Sequence, residues 1–179
     1  MRIDLIPLTA TDREIPELLN MYNIPSTEIY ISISDDYFDY VTGTEGIVYY
    51  KIVEDGILTG GIHCEIDSET MSLSICVKEE YRRRGIAEAA LRKLLFALPE
   101  KVNIIEVSID ETNIASQLLF QKLGFTKFSR DYELIIYRKM IHWKISIYNS
   151  NSIALFYIYN NSLPEFEIQV QGGLAFMSF

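Results

Sequence analysis

One mixed α/β domain, with a mostly antiparallel central sheet flanked by helices and a β-rich C-terminal extension, is the fold class this 179-residue sequence predicts. Three observations carry that reading. Between residues 47 and 77, three apolar runs are separated by tight turns, the pattern of an antiparallel meander. Residues 86–98 and 113–123 then place apolar side chains at helical spacing, with a strand-like run between them. From residue 141 onward the chain carries only one basic and two acidic residues and is rich in Ile, Tyr, Phe, Asn and Ser.

The elements follow in chain order. Ile3, Leu5, Pro7 and Leu8 read as a first strand. Residues 12–22 read as a helix, with Ile15, Leu18, Leu19 and Tyr22 on one face and Pro16 tolerated in its first turn. Residues 24–46 are acidic and aromatic, and read as a short helix plus loop. The meander is IVYYKIV, a Glu54-Asp55-Gly56 turn, ILTGGIHCEI, an Asp67-Ser68 turn, and MSLSICV. The helix after Gly85 carries Ala87, Ala90, Leu91, Leu94, Leu95 and Leu98, and Pro99 stops it. The strand NIIEVSI leads to a second helix that Gly124 closes, and strands near residues 125–128 and 133–140 complete the layout.

Two domains of character are therefore expected: residues 1–140 as the folded unit, and residues 141–179 as an apolar extension that covers this domain or meets a partner chain, a homodimer included. FEIQV at residues 166–170 alternates as a strand. The spacing N-x-x-S-x-x-L-F at residues 149–156 repeats that at 113–120, but one partial match falls far short of a repeat array.

Charge narrows the function classes. The net charge of −9 divides unevenly: residues 1–69 hold 3 basic and 14 acidic groups, residues 70–140 hold 12 and 9. An acidic chain without a long basic stripe is a poor binder of nucleic acid, though its middle third suits a small anion. No apolar run reaches the roughly 18–20 residues of a spanning helix, and the acids near the N-terminus do not suit a signal peptide, so a cytoplasmic protein without membrane association is expected. Cys64 and Cys76 make no disulfide framework. With only His63 and His142 beside them, no metal site is expected.

The most informative segment runs from Ile75 to Ala87: an apolar strand, a basic glycine turn, and the start of an amphipathic helix. The first amides of a helix lack intrahelical acceptors and its dipole favours negative charge, so such a turn suits phosphate. Arg82, Arg83 and Arg84 add charge and bidentate donors, and Gly85 and the small Ala87, on either side of Ile86, let an anion approach the backbone. The competing reading is a solvated basic helix start.

R-x-x-G-x-A at residues 82–87, after a strand ending in Val77, resembles the acyl-CoA-binding motif of the GNAT superfamily of N-acetyltransferases, which share the acyl-CoA N-acyltransferase fold. Downstream, Asn113-Ile-Ala-Ser-Gln-Leu-Leu-Phe-Gln-Lys-Leu-Gly-Phe125 resembles that family's N-x-x-A/S-x-x-L-Y-x-K-x-G-F helix. The resemblance covers about residues 1–140 and implies acetyl-CoA as cosubstrate. It implies that the backbone of Ile75, Cys76 and Val77 pairs with pantetheine, that residues 82–87 hold the pyrophosphate, and that Asn113 and Ser116 line the cofactor slot. As a helix N-cap, Asn113 also has a structural reading. Lys122 falls where the family often has a basic residue near the adenosine.

Two positions depart from the family pattern. Phe120 stands where many members have a tyrosine that protonates the departing thiolate; Tyr132 and Tyr137 are the substitutes available. Some relatives carry a glutamate eleven residues before the motif's first residue, where this chain has Met71. Glu69, two residues earlier on the same strand face, is the candidate base, followed by Glu65, Asp67 and Glu106; His63 and Cys64 read as packing. The implied activity is acetyl transfer to a primary amine, cationic in view of the acidic first third, by direct attack in a ternary complex. The alternative is a CoA-binding regulatory or structural protein lacking transferase activity.

Overall fold

Ile3 and Leu5, two residues apart and on one face, lie in strand β1 (Ile3–Pro7), which pairs antiparallel with β2 (Ile47–Glu54). The computed structural model describes residues 2–141, 168–171 and 174–177. Asp55 and Gly56 both take positive φ, 49° and 88°, so the β2–β3 connection is the two-residue hairpin that Asp-Gly favours. Strand β3 (Ile57–Asp67) pairs antiparallel with β4 (Thr70–Val77), completing the meander expected from sequence.

Helix α4 (Ile86–Phe96) follows, then β5 (Ile104–Asp110), α5 (Ile114–Lys122), β6 (Thr126–Asp131) and β7 (Leu134–Met140). Helix α5 ends as its glycine predicts: Gly124 takes φ +82° and the Phe125 amide returns to the Phe120 carbonyl at 3.0 Å. The seven-stranded sheet has the order β1-β2-β3-β4-β5-β7-β6, antiparallel except between β4 and β5.

The first third departs from the reading in two places. Helix α1 (Ile15–Tyr22) begins three residues later than expected. Lys51 of β2 pulls the Asp12 carboxylate to 2.7 Å and also binds Glu14, which holds residues 12–14 in a turn ahead of the helix. Residues 24–46 hold two short helices rather than one, α2 (Pro25–Glu28) and α3 (Tyr37–Gly43). Pro25 pre-sets a helical φ and forces the preceding Ile24 into an extended conformation, so a new helix starts there.

These elements cover both faces of the sheet. On one face, α4 and α5 bury Ile86, Ala90, Leu91, Leu95 and Phe120 against Ile52, Ile62, Met71 and Ile105. On the other, α1 and α3 bury Leu18, Tyr22, Phe38 and Val41 against Tyr49, Leu58 and Cys76. Gly61 makes room for the Tyr49 ring, since a Cβ there would lie 2.0 Å from its hydroxyl, and that hydroxyl meets the Tyr22 hydroxyl at 3.0 Å.

The Lys51 anchor has a measurable pH signature. The hydrogen bond from Lys51 holds the Asp12 carboxyl below its ordinary 3.8, against the opposing effect of burial. A depressed carboxyl contributes stability above its unfolded pKa and loses it as pH falls through the folded value. Asp12→Asn is therefore expected to lower stability at pH 7 and to flatten the decline below about pH 4. Urea midpoints from pH 7 to pH 2 measure both effects.

Strands β8 (Ile168–Gln171) and β9 (Leu174–Met177) form an antiparallel pair. The expected strand at 166–170 overlaps β8; its first two residues, and the partial repeat at 149–156, lie outside the described residues. Among the described residues no helix is long and apolar enough to cross a membrane, and no group of three His, Cys, Asp or Glu side chains is placed to hold a metal.

Candidate active site

The parallel contact between β4 and β5 is short. Thr70, Met71 and Ser72 pair with Ile104, Ile105 and Glu106, and there the pairing ends. Beyond it β4 keeps β3 on one side, while β5 continues against β7 alone. Residues 73–77 thus form a strand edge inside the sheet, facing a wedge. Backbone groups on such an edge need partners, and an extended ligand with amide groups supplies them. Ile75 and the buried Val77 face α4, while Cys76 is buried on the α1–α3 face.

The wedge leads into the basic turn. After a 3-10 turn at Glu79–Tyr81, Arg83 takes φ +61° and Gly85, the N-cap of α4, takes φ +81°. Two left-handed residues so close together turn successive amides toward one side, the geometry of an anion nest. Among the described hydrogen bonds, none engages the amides of residues 83–88. A Cβ at Gly85 would meet nothing within 4 Å, so the glycine answers the backbone conformation and the space in front of it is open.

The three arginines of the turn point in different directions. The Arg82 guanidinium is turned away, donating to the Val77 carbonyl at 2.9 Å, Ser26 Oγ at 2.9 Å and Thr27 Oγ1 at 2.7 Å. Two of these donors tie the turn to α2 and the third ties it to the end of β4, so the guanidinium expected to meet phosphate is engaged within the protein here. Arg84 reaches Glu54 at 3.2 Å and lies over the Tyr81 ring. Arg83 is exposed beside the free amides and makes no described ion pair. Beside them Ile86 is buried in the core and Ala87 is half-buried at the helix start.

At the far side of the wedge, Asn113 caps α5, its Oδ1 accepting from the Ser116 amide at 3.1 Å. Ser116 is half-buried in the first helical turn. Sequence reasoning missed Gln117, whose amide donates to the Asp110 and Glu111 carbonyls and fixes the end of β5 to α5. Its Oε1 accepts from the buried Tyr137 hydroxyl, which in turn accepts from Gln121, so Tyr137 is a core strut rather than an acid for the wedge. Tyr132 is 90% exposed at the β6–β7 turn, also away from it. Phe120 packs on Phe125 with ring centroids 5.1 Å apart, inside the core. Lys122 pairs with Glu88 at 2.7 Å, near the first turn of α4.

Glu69 does not converge on the wedge. It sits in the β3–β4 turn, at the opposite end of β4 from residues 73–77, and its carboxylate accepts from Asn103 at 3.0 Å. At about 3.3 Å per strand residue, the distance from Glu69 to Ser74 is roughly 16 Å. Asp67 belongs to the same turn, and Glu106 is bound by Arg138.

His63 lies on β3, which pairs with β4 on the side away from β5. It is the register partner of Ser74 and lies on the α1–α3 face, with Nδ1 2.7 Å from the Tyr37 hydroxyl. Both cysteines are free and buried; burial pushes the Cys64 thiol up to about 12 and raises that of Cys76 as well.

A split mixed sheet whose central strand feeds a left-handed glycine turn and a helix defines an acyltransferase-type α/β fold. The GNAT acetyltransferase family model matches residues 15–125, and the chain belongs to that family. It is an acetyltransferase. Solved structures agree in fold. A domain from Methanocaldococcus jannaschii matches at TM-score 0.67 and 19% identity, covering 78% of this chain and 100% of its own. An acetyltransferase from Thermus thermophilus matches at TM-score 0.65 and 18% identity, over 79% of this chain and 98% of its own. The N-acetyltransferase PseH of Campylobacter jejuni, in complex with acetyl coenzyme A, matches at TM-score 0.62 and 15% identity, over 78% and 99%. No curated protein sequence gives a significant match.

Proposed function

We propose that the protein moves the acetyl group of acetyl-CoA to a primary amine by direct attack in a ternary complex. The observation that carries this is the continuity of the β4 edge at residues 73–77 with the unengaged amides at 83–88. The edge suits the pantetheine amides, and the amides with Arg83 suit the pyrophosphate. The backbone of Ile75, Cys76 and Val77 orients the thioester and stabilises the developing oxyanion. Asn113 and Ser116, at the α5 start, border the same slot.

Direct attack fits the cysteines. A buried thiol with a raised pKa stays protonated at neutral pH and is a poor nucleophile, so neither Cys64 nor Cys76 suits an acetyl-enzyme intermediate. With Phe120 in the core, the departing thiolate is protonated from solvent or by the substrate nitrogen. Incubating the protein with acetyl-CoA and a panel of primary amines, with free thiol as readout, tests the reading. Amine-dependent thiol release supports it; none with any amine overturns it.

A cationic acceptor is favoured by the first third. Asp12 and Glu14 share Lys51, Glu17 pairs with Lys78, and Glu54 pairs with Arg84. Glu28, Asp35, Asp36 and Asp39 on and between α2 and α3 are exposed and make no described ion pair. Replacing Asp35, Asp36 and Asp39 by Asn is expected to raise KM for a polyamine severalfold, an effect that fades toward 1 M salt as charges are screened. The apolar extension from residue 141 pairs copies of the chain across a two-fold axis in this reading; molecular mass before and after truncation at Met140 checks it.

A further inference from the structure

We propose, on the amine-acetylation reading above, that Glu106 is the proton acceptor of the transfer reaction, with Oε2 of its carboxylate taking the proton an ammonium substrate must lose.

Strand pairing fixes where the cofactor must end. An extended ligand can follow the β4 edge only where that edge is unoccupied, and the slot closes where Ser72 pairs with Glu106. With the pyrophosphate at residues 83–88, the pantetheine runs back from Val77 toward Leu73. Its thioester end therefore stops one or two residues short of the Ser72–Glu106 pair. At about 3.3 Å per strand residue and about 4.8 Å between strands, that end lies within about 8 Å of the Glu106 backbone, in reach of an amine seated on its side chain.

The carboxylate is open to solvent on the face where it stands. Glu65 of β3, Ser72, Glu106 and Arg138 of β7 form one row across four strands, on the face opposite α4. Met71, Leu73, Ile105 and Val107 alternate with that row and are buried in the core on the α4–α5 side. On the row's own face Ser72 and Ser108 are exposed, and the Glu106 side chain keeps 26% of its surface, so an amine reaches it without crossing the core. Glu65 shares the row but lies beyond β4, on the side away from the slot.

The protein holds this carboxylate by one oxygen. Arg138, reaching from the β7 side, donates to Oε1 from both Nε and Nη2, and its guanidinium stacks on the Phe128 ring 3.4 Å from the centroid. Among the described hydrogen bonds none uses Oε2. The side chain is thus fixed in place while the lone pairs of its second oxygen are left to accept from a ligand. The charged groups along the row are Arg138 on one side and Glu65, past Ser72, on the other; Thr126 of β6, beyond Arg138, is uncharged.

The step balances. Oε2 takes one proton from R–NH3+. The freed nitrogen lone pair forms the C–N bond at the acetyl carbonyl, and collapse of the tetrahedral species breaks the C–S bond with its electron pair going to sulfur. The second nitrogen proton passes to the thiolate. Glu106 returns its proton to solvent, so one proton is released for each acetyl group moved.

The test uses the full chain, with spermidine, a peptide bearing a free N-terminus, and kanamycin as probe amines. Glu106→Gln keeps the size of the side chain and an oxygen for Arg138 but removes the base. It is expected to lower kcat on the order of 100-fold at neutral pH and to leave acetyl-CoA affinity unchanged by calorimetry, which also reports that the fold and the slot are intact. The deciding readout is how the gap from wild type depends on pH for each amine that is acetylated. As pH rises toward the amine's own pKa, about 8 for a peptide N-terminus and about 10 for an alkyl amine, the acceptor arrives neutral and needs no base. The gap should therefore narrow at least about tenfold between about pH 6.5 and about pH 9.5, whereas a purely structural ion pair would lower the rate by one factor throughout. Wild-type kcat in Glu106→Gln, or a gap that does not change with pH, overturns the role of Glu106 alone. A wild-type protein that binds acetyl-CoA yet acetylates none of the amines overturns the functional reading itself.

Discussion

Gly85→Glu is expected to weaken acetyl-CoA binding by at least about 100-fold while the protein remains folded. Two effects add. At φ +81° any L-residue is strained, by roughly 1–2 kcal/mol, which alone disturbs the amides of the turn. A carboxylate then stands at the N-cap of α4, where the pyrophosphate is proposed to lie, and replaces attraction by like-charge repulsion. Because a Cβ there meets nothing within 4 Å, the core beneath is not disturbed and thermal unfolding should shift by only a few degrees. Gly85→Ala carries the strain without the charge, so its affinity should fall between the two. Calorimetric titration with acetyl-CoA ranks the three proteins, and equal affinities would place the pyrophosphate elsewhere.

Gly60→Ala should damage both stability and turnover, for a reason visible only in three dimensions. Its Cβ would lie 2.3 Å from the Cys76 carbonyl oxygen and 3.0 Å from the Val77 Cα. Both are backbone atoms of the β4 segment proposed to orient the thioester, so relief requires moving that strand. Overpacking of this kind costs about 1–3 kcal/mol, or roughly 3–9 °C in Tm at this chain length. The same displacement misaligns the thioester, and kcat should fall by about tenfold or more even where the variant is fully folded. Gly43→Ala is the control: a Cβ there meets nothing within 4 Å and its φ is not positive, so stability and rate should hold.

The strands of the meander, the two helices α4 and α5, and the glycine turn between β4 and α4 are legible in sequence because each is written in local periodicity and turn chemistry. The wedge is not. It exists because β5 docks in parallel over three residues and then follows β7, which inserts between β5 and β6; register and strand order are long-range facts with no local signal. Arg82 shows the limit for side chains. Its place in the motif is readable, but the acceptors that capture it come from α2, more than 50 residues earlier. For Glu69 the strand face is readable, but which end of β4 opens is not.

The central claim is that acetyl-CoA lies along residues 73–77 and sets its pyrophosphate on the amides of residues 83–88. Amide hydrogen exchange of the full chain with and without acetyl-CoA tests it most directly. The account predicts new protection concentrated in those two segments and in the first turn of α5 at Asn113 and Ser116. Protection elsewhere with these amides unchanged, or no protection at saturating acetyl-CoA, would contradict it.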